Sequence, residues 1–135
     1  IEEARDPKNL DILEDASVIY FTGGDQLKIT TRIGGTPVAD KIMELYHTGA
    51  TIAGTSAGAS VMSATMLTAG DNDESHKIGN LMMAPGLGLT PHMIVDQHFA
   101  QRGRIGRLLG AVALNPGLLG VGIDEDTCII VTDDD

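Results

Sequence analysis

The sequence predicts an α/β fold, a three-layer sandwich in which helices cover both faces of a mainly parallel central sheet. Short apolar runs alternate with amphipathic segments, which is typical of repeated β-α-β units. The 17 glycines lie mostly in clusters between the apolar segments, where they indicate turns rather than an internal repeat. No linker interrupts the 135 residues, so we expect a single α/β catalytic domain over residues 1–135.

The first half of the chain predicts one β-α-β unit. The apolar run Ser17 to Phe21 is typical of a buried strand, which Thr22-Gly23-Gly24 ends. A helix is expected from about Thr36 to Thr48, because Thr36 suits the N-cap position and Gly49 follows as a stop signal. Thr51 to Ala53 then forms the next strand, parallel to the first.

The second half predicts more strands and another long helix. Gly70 to Ser75 is polar and typical of an exposed loop, and His92 to Val95 follows as a strand. A helix is expected from about Gln101 to Leu114, with an apolar face. Gly120 to Ile123 and Thr127 to Val131 predict two strands or one bent strand.

Composition excludes several classes of protein. A net charge of -10 argues against nucleic acid as a partner. No apolar run approaches the length of a membrane span, and the first residues lack the pattern of a signal peptide. Cys128 is the only cysteine, so no disulfide forms within one chain. These features predict a cytoplasmic protein without membrane contact.

The first residues form a charged helical stretch that leads straight into a strand, and an apolar strand is expected just before the last residues. We therefore also expect a central fragment of a longer protein, truncated at both ends.

A serine marks the turn between a strand and a helix. Gly54-Thr55-Ser56-Ala57-Gly58 follows the strand at Thr51 to Ala53 and precedes a run of small residues. Glycines flank a nucleophile elbow because the chain reverses so sharply that side chains there would collide. The motif therefore predicts a hydrolase with Ser56 as nucleophile, against the alternative of a glycine-rich turn with an incidental serine.

The serine needs a base, which is usually a histidine. Four histidines compete: His47, His76, His92 and His98. His98 is best placed, because it follows an apolar strand, and the carboxyl ends of parallel strands gather at one edge of a sheet. The other three stay as alternatives.

An acid is expected to orient the histidine. Asp124, Glu125 and Asp126 follow the predicted strand that ends at Ile123, and alternation places Glu125 opposite to the two aspartates. The orienting acid could come from either face, and a solvated acidic bend between strands is the alternative to a functional role. The order serine, histidine, acid differs from that of the common α/β-hydrolases and disfavours their fold.

The glycine pair after the first strand suits an oxyanion hole. Backbone amides of Gly24 and Ala57 are candidates to stabilise negative charge, and Gln26 is expected to project into the same cleft. A phosphate-binding loop is the competing interpretation, but no Gly-Lys-Ser or Gly-Lys-Thr sequence follows. The spacings of known metal sites are missing too, so no metal or other cofactor is predicted.

Three arginines, Arg102, Arg104 and Arg107, lie within six residues just after His98. The planar guanidinium group suits carboxylates, so the cluster is a candidate to hold acidic groups of a substrate. A solvated helix face paired with acidic neighbours is the alternative.

Four blocks, in this order, resemble the cyanophycinase family. They are Phe21 to Gln26, Gly54 to Ala59, Val95 to Phe99 with its trailing arginines, and Gly122 to Thr127. The family consists of serine peptidases, related to aspartyl dipeptidases and peptidase E-like enzymes, with a flavodoxin-like or class I glutamine amidotransferase-like fold. Its members degrade cyanophycin, a polyaspartate with arginine on each side-chain carboxyl, to β-Asp-Arg dipeptides and use no metal.

The resemblance implies a serine exopeptidase that forms an acyl-enzyme on Ser56, with His98 as base and Glu125 as the orienting acid. It implies a homodimer, and it implies that further residues line the substrate pocket. These are Gln26, Asp96, Gln97, Arg102, Arg104 and Arg107. Two alternatives remain: an aspartyl dipeptidase of the same family, and a non-catalytic fragment or binding module.

Overall fold

Three pairs of strands organise the part of the chain that the computed structural model describes, residues 2–69 and 81–132. The strands are β1 Val18–Phe21, β2 Thr51–Gly54, β3 Thr65–Ala69, β4 Met82–Pro85, β5 Met93–Gln97 and β6 Leu119–Ile123. The helices are α1 Pro7–Leu10, α2 Gln26–Ile33, α3 Pro37–His47, α4 Ala57–Ser60 and α5 Ile105–Leu114, with 3-10 turns at Glu3–Arg5 and Asp11–Leu13. None of these described helices is long and apolar enough to span a membrane.

Strands β1 and β2 form a parallel pair that α2 and α3 connect. The Asp25 side chain caps α2 by accepting hydrogen bonds from the amides of Leu27 and Lys28 at 2.9 and 3.3 Å. Phe21 lies opposite Gly54 in the pair, at the carboxyl ends of both strands. The loops that follow the two strands therefore leave the sheet side by side.

Strands β5 and β6 form the second parallel pair, which α5 connects. A methyl group on Gly120 would lie 2.6 Å from a Val112 side-chain carbon, so the glycine lets α5 pack closely against β6. Gln97 lies opposite Ile123 at the carboxyl ends of the pair. The residues that follow, His98 and Asp124, thus start from neighbouring points.

The antiparallel pair β3 and β4 lies between two hydrophobic clusters. Adjacent side chains of a strand point to opposite faces, and Met66 joins one cluster while Leu67 joins the other. The buried Ser63 hydroxyl accepts a hydrogen bond of 3.1 Å from the Val95 amide and so links this region to β5. The first cluster comprises Phe21, Ile42, Val61, Met66 and Leu89, and the second comprises Leu67, Ile94, Leu108 and Ala111.

The prediction of an α/β fold with mainly parallel strands is confirmed, and the arrangement is compatible with a flavodoxin-like sandwich. Strand β6 starts one residue before its predicted range, and α5 begins at Ile105 rather than Gln101. Helix α2 and the β3–β4 pair were not predicted. Helix α2 begins just after a glycine pair that is typical of a loop, and Asp25, its N-cap residue, is the one sequence signal for its start.

The strand predicted for Thr127 to Val131 is wrong. This stretch has no regular secondary structure and pairs with no strand of the described residues. A strand is stabilised by its ladder with a neighbour, so an apolar run alone does not form one. Ile130 is 87% exposed, and Cys128 is exposed too. The loop predicted for Gly70 to Ser75, like His76, lies outside the described residues.

Replacement of Ile94 by alanine tests the second cluster. Ile94 is fully buried, so Ile94→Ala should lower the free energy of unfolding by about 2 to 5 kcal/mol through lost contacts and a cavity. The control is Ile12→Ala, since Ile12 is 77% exposed and should change stability by less than about 0.5 kcal/mol. Denaturant unfolding measures both, and equal losses would contradict the assignment of the cluster.

Candidate active site

Ser56 occupies a strained turn between β2 and α4. Its φ of 53° and ψ of -116° are unusual for a residue with a side chain. A methyl group on Gly54 would lie 2.4 Å from the Gly58 carbonyl oxygen, and one on Gly58 would lie 2.1 Å from the Phe21 carbonyl oxygen. Both glycines are therefore needed for the turn to close against β1. The strand, turn and helix have the geometry of a nucleophile elbow.

A continuous hydrogen-bonded chain joins Ser56, His98 and Glu125. The Ser56 Oγ lies 2.9 Å from His98 Nε2, and His98 Nδ1 lies 2.8 Å from Glu125 Oε1. A proton on Nδ1, donated to the carboxylate, leaves Nε2 free to accept the serine proton. The His98 side chain is 27% exposed and that of Glu125 is 52% exposed, so these hydrogen-bonded side chains are accessible at the surface of the part of the protein that the structure describes.

Two of the other histidines, His47 and His92, lie elsewhere in the fold. His47 ends α3, and His92 precedes β5 at the opposite end of that strand from His98. His76 is outside the described residues. His98 follows the carboxyl end of β5 with a φ of 46°, a backbone conformation that turns its ring away from the strand direction.

Hydrogen bonds between two loops bring Glu125 to His98. The Ala100 amide donates to Asp124 Oδ1 at 2.8 Å, and the Glu125 amide donates to Gln101 Oε1 at 3.2 Å. Of the three acidic residues, Glu125 thus faces the histidine while Asp124 binds the loop after it. Asp124 and Gln101 were missed as supporting residues, since their contacts join positions 24 residues apart.

The glycine loop after β1 passes beside the serine. A methyl group on Gly23 would lie 3.5 Å from Ser56 Cβ, and Gly24 has a φ of 132° that favours glycine. Ala57 is the first residue of α4 and is buried. The amides of Gly24 and Ala57 therefore remain the candidates for an oxyanion hole.

Two glutamines predicted to line the pocket have different surroundings. Gln97 Oε1 lies 3.4 Å from Ser56 Oγ, so this side chain is beside the nucleophile. Gln26 is partly buried, and its Nε2 donates a hydrogen bond of 2.8 Å to the Leu67 carbonyl on β3. The structure therefore places Gln97 next to the serine and anchors Gln26 to the neighbouring strand.

Asp96, Arg104 and Arg107 form a buried charge cluster behind the histidine. Arg107 binds both carboxylate oxygens of Asp96, with an Nε to Oδ2 distance of 2.6 Å. Arg104 Nη1 lies 3.3 Å from Asp96 Oδ1 and also donates to the Gln97 carbonyl. Exposure is 1% for Asp96, 7% for Arg104 and 9% for Arg107.

That Asp96, Arg104 and Arg107 line the substrate pocket stays a prediction, and the structure shows that all three side chains are buried. Asp96 is the next to last residue of β5 and is buried, so an unpaired carboxylate there would be costly, and the two arginines neutralise it. Arg102 alone among the three arginines is exposed. The spacing of the arginines in the sequence does not distinguish it from the two that turn inward.

Burial lowers the pKa of the Arg104 guanidinium, and the charge of Arg107 lowers this pKa further, while Asp96 opposes both effects. Arg102 also contributes to the lowering. Two positive charges, those of Arg104 and Arg107, thus face a single buried carboxylate in a chain that is otherwise acidic. Within residues 2–69 and 81–132, no group of three or more histidine, cysteine or acidic side chains is placed to hold a metal ion.

The chain is similar in sequence to known proteins. Residues 2–135 match the sequence profile described as peptidase family S51. A cyanophycinase of Trichormus variabilis is 49% identical over 119 residues, which cover 87% of this chain and 40% of the relative. A cyanophycinase of Geminocystis herdmanii is 41% identical over 134 residues, 98% of this chain and 49% of the relative.

A solved structure is similar as well. The crystal structure of a peptidase from an acI-B1 Actinobacterium superposes with a TM-score of 0.70 at 28% identity and covers 92% of this chain. The match extends over 49% of that structure. The chain therefore spans about half the length, or less, of the proteins it resembles.

The elbow can be tested at Gly58. Gly58→Ala should destabilise the protein by at least about 2 kcal/mol, because the new methyl group collides with backbone rather than with a movable side chain. Gly117→Ala is the matched control, since a methyl group there meets nothing within 4 Å. Thermal or denaturant unfolding of the two variants gives the comparison. A Gly58→Ala variant as stable as the control would show that the turn does not close as described.

Proposed function

The chain belongs to peptidase family S51, and from this premise we propose that it forms the catalytic part of a serine exopeptidase. The proposed substrate is cyanophycin, and the proposed products are β-Asp-Arg dipeptides. The single observation that carries the proposal is the chain of hydrogen bonds from Ser56 through His98 to Glu125, with distances of 2.9 and 2.8 Å. These are the contacts that a serine needs to act as a nucleophile.

The proposed reaction has two steps. His98 Nε2 takes the hydroxyl proton while Ser56 Oγ attacks the carbonyl carbon of a backbone amide, and the amides of Gly24 and Ala57 stabilise the oxyanion. His98 then gives the proton to the leaving amine, and the C–N bond breaks to leave an acyl-enzyme on Ser56. Water then gives a proton to His98 and attacks the ester carbon, the bond from this carbon to Ser56 Oγ breaks, and His98 returns the proton to Oγ. Glu125 stabilises the positive ring in both steps.

The relatives named cyanophycinase support the substrate. Cyanophycin carries carboxylates and guanidinium groups, so a site for it needs both kinds of charged partner. Arg102 is exposed four residues after His98, and its guanidinium group suits a carboxylate. The acidic surface of the chain suits the guanidinium groups. The proposal also includes a cytoplasmic location, which the composition predicts, and a homodimer, which the resemblance implies.

A comparison of substrates tests the proposed function. The full-length protein that contains this chain should release β-Asp-Arg from cyanophycin and hydrolyse Asp-Xaa dipeptides more slowly, as followed by chromatography of the products. Activity on Asp-Xaa dipeptides alone would identify an aspartyl dipeptidase instead. Failure of a fluorophosphonate to label Ser56 in folded protein would rule out the serine peptidase altogether and favour a binding module. Ser56→Ala is the control for labelling.

Glu125→Gln tests the orienting acid. The substitution keeps the size of the side chain but removes the charge that stabilises the histidine ring when it holds the serine proton. We expect kcat to fall by about 10²- to 10⁴-fold with little change in KM. Asp126→Asn is the matched control, since Asp126 lies in the same turn with a φ of 55° that asparagine also tolerates. Equal effects of the two variants in a steady-state assay would remove Glu125 from the mechanism.

A further inference from the structure

We propose that the buried charge cluster of Asp96, Arg104 and Arg107 positions the catalytic histidine and does not bind substrate. The cluster holds the peptide group that precedes His98, so that the ring reaches Ser56 when the backbone turns at the end of β5. This inference rests on the proposed function only in taking His98 as the base of the reaction.

Both backbone polar groups of Gln97, its amide and its carbonyl, are held by hydrogen bonds. The Gln97 amide donates to Asp96 Oδ1 at 2.9 Å, and the Gln97 carbonyl accepts from Arg104 Nη1. That carbonyl belongs to the peptide bond that leads into His98. Because His98 has a φ of 46°, a conformation that side chains disfavour, the peptide before it must be fixed by its surroundings.

Arg107 completes the support by fixing the carboxylate itself. Its Nε lies 2.6 Å from Asp96 Oδ2 and its Nη2 binds Asp96 Oδ1, a bidentate contact that holds the carboxylate plane. Both arginines belong to the start of α5, and the Arg104 amide also donates to the Phe99 carbonyl at 3.0 Å. Hydrogen bonds from Arg104 thus join the start of α5 to the backbone on both sides of His98, at the Gln97 and Phe99 carbonyls.

Burial argues against direct contact with substrate. Asp96 is 1% exposed, and each arginine is less than one tenth exposed in a chain that spans about half of its relatives. The guanidinium groups already face a carboxylate and a carbonyl, which leaves them poorly placed for a substrate carboxylate. Arg102, from the same run of sequence, is exposed. It therefore provides the contrast that a test needs.

The experiment separates activation of the serine from binding of the polymer. In the full-length protein, Arg104→Lys and Arg107→Lys keep the charge but lose the planar fork. One measurement is the rate at which a small uncharged fluorophosphonate labels Ser56 per folded molecule, which needs the base but not the substrate pocket. The other is KM for cyanophycin. Arg32→Lys, at an exposed position of α2, is the control for both measurements.

We expect Arg104→Lys and Arg107→Lys to slow labelling by about 10- to 100-fold, since a small displacement of the base costs that much. KM should stay within about twofold, because no substrate contact is lost. Arg102→Lys should do the opposite and raise KM without slowing labelling. Arg32→Lys should change neither quantity.

Two results would overturn the proposal. A raised KM with unchanged labelling in Arg104→Lys and Arg107→Lys would place the cluster in the substrate pocket. A labelling rate per folded molecule equal to that of the parent would leave the cluster with a merely structural role. If Arg107→Lys does not fold, Arg104→Lys decides alone, because it retains the pair of Arg107 with Asp96. If the parent labels at Ser56 but does not cleave cyanophycin, the proposed substrate is wrong while the labelling rates still test the positioning.

Discussion

The hydrogen bonds of a single histidine ring join the ends of separate strand pairs. His98 follows β5, its Nε2 meets the serine that follows β2, and its Nδ1 meets the glutamate that follows β6. Parallel pairing brings together the carboxyl ends of the two strands within each pair, and the hydrogen bond from the Val95 amide to the Ser63 hydroxyl joins the region after α4 to β5. The elbow, the histidine turn and the acidic turn each have a residue with positive φ: Ser56, His98 and Asp126. These backbone conformations are stable only because packing and hydrogen bonds around them are fixed.

The support around the ring comes from two kinds of contact. On the buried side, the charge cluster of Asp96, Arg104 and Arg107 fixes the strand end by ion pairs that are protected from solvent. On the exposed side, Asp124 and Gln101 join the histidine loop to the acidic turn by bonds of 2.8 and 3.2 Å. The site is therefore held by buried ion pairs on one side of the histidine and is more accessible to solvent on the other. The proposed reaction needs both, because the histidine must hold its position while a substrate enters.

Much of the fold and of the candidate site could be predicted from the sequence. The apolar run at Ser17 to Phe21 and the capped segment from Thr36 carry local signals, and β1 and α3 lie where those signals indicate. Ser56 and His98 each follow an apolar strand, and this is enough to predict that they lie at the same edge of the sheet. The choice of Glu125 over Asp124 and the inward turn of Arg104 and Arg107 depend on contacts between distant residues. Likewise, Thr127 to Val131 has the composition of a strand but no partner among the described residues, and composition does not reveal partners.

Trapping the acyl-enzyme tests the central claim most directly. The full-length protein is mixed with cyanophycin, quenched with acid before the steady state, digested, and its peptides weighed by mass spectrometry. We expect a substrate-derived acyl group on the peptide that contains Ser56, which disappears on longer incubation and does not form in Ser56→Ala. Release of dipeptides with no adduct on Ser56, or with an adduct on another residue, would contradict it.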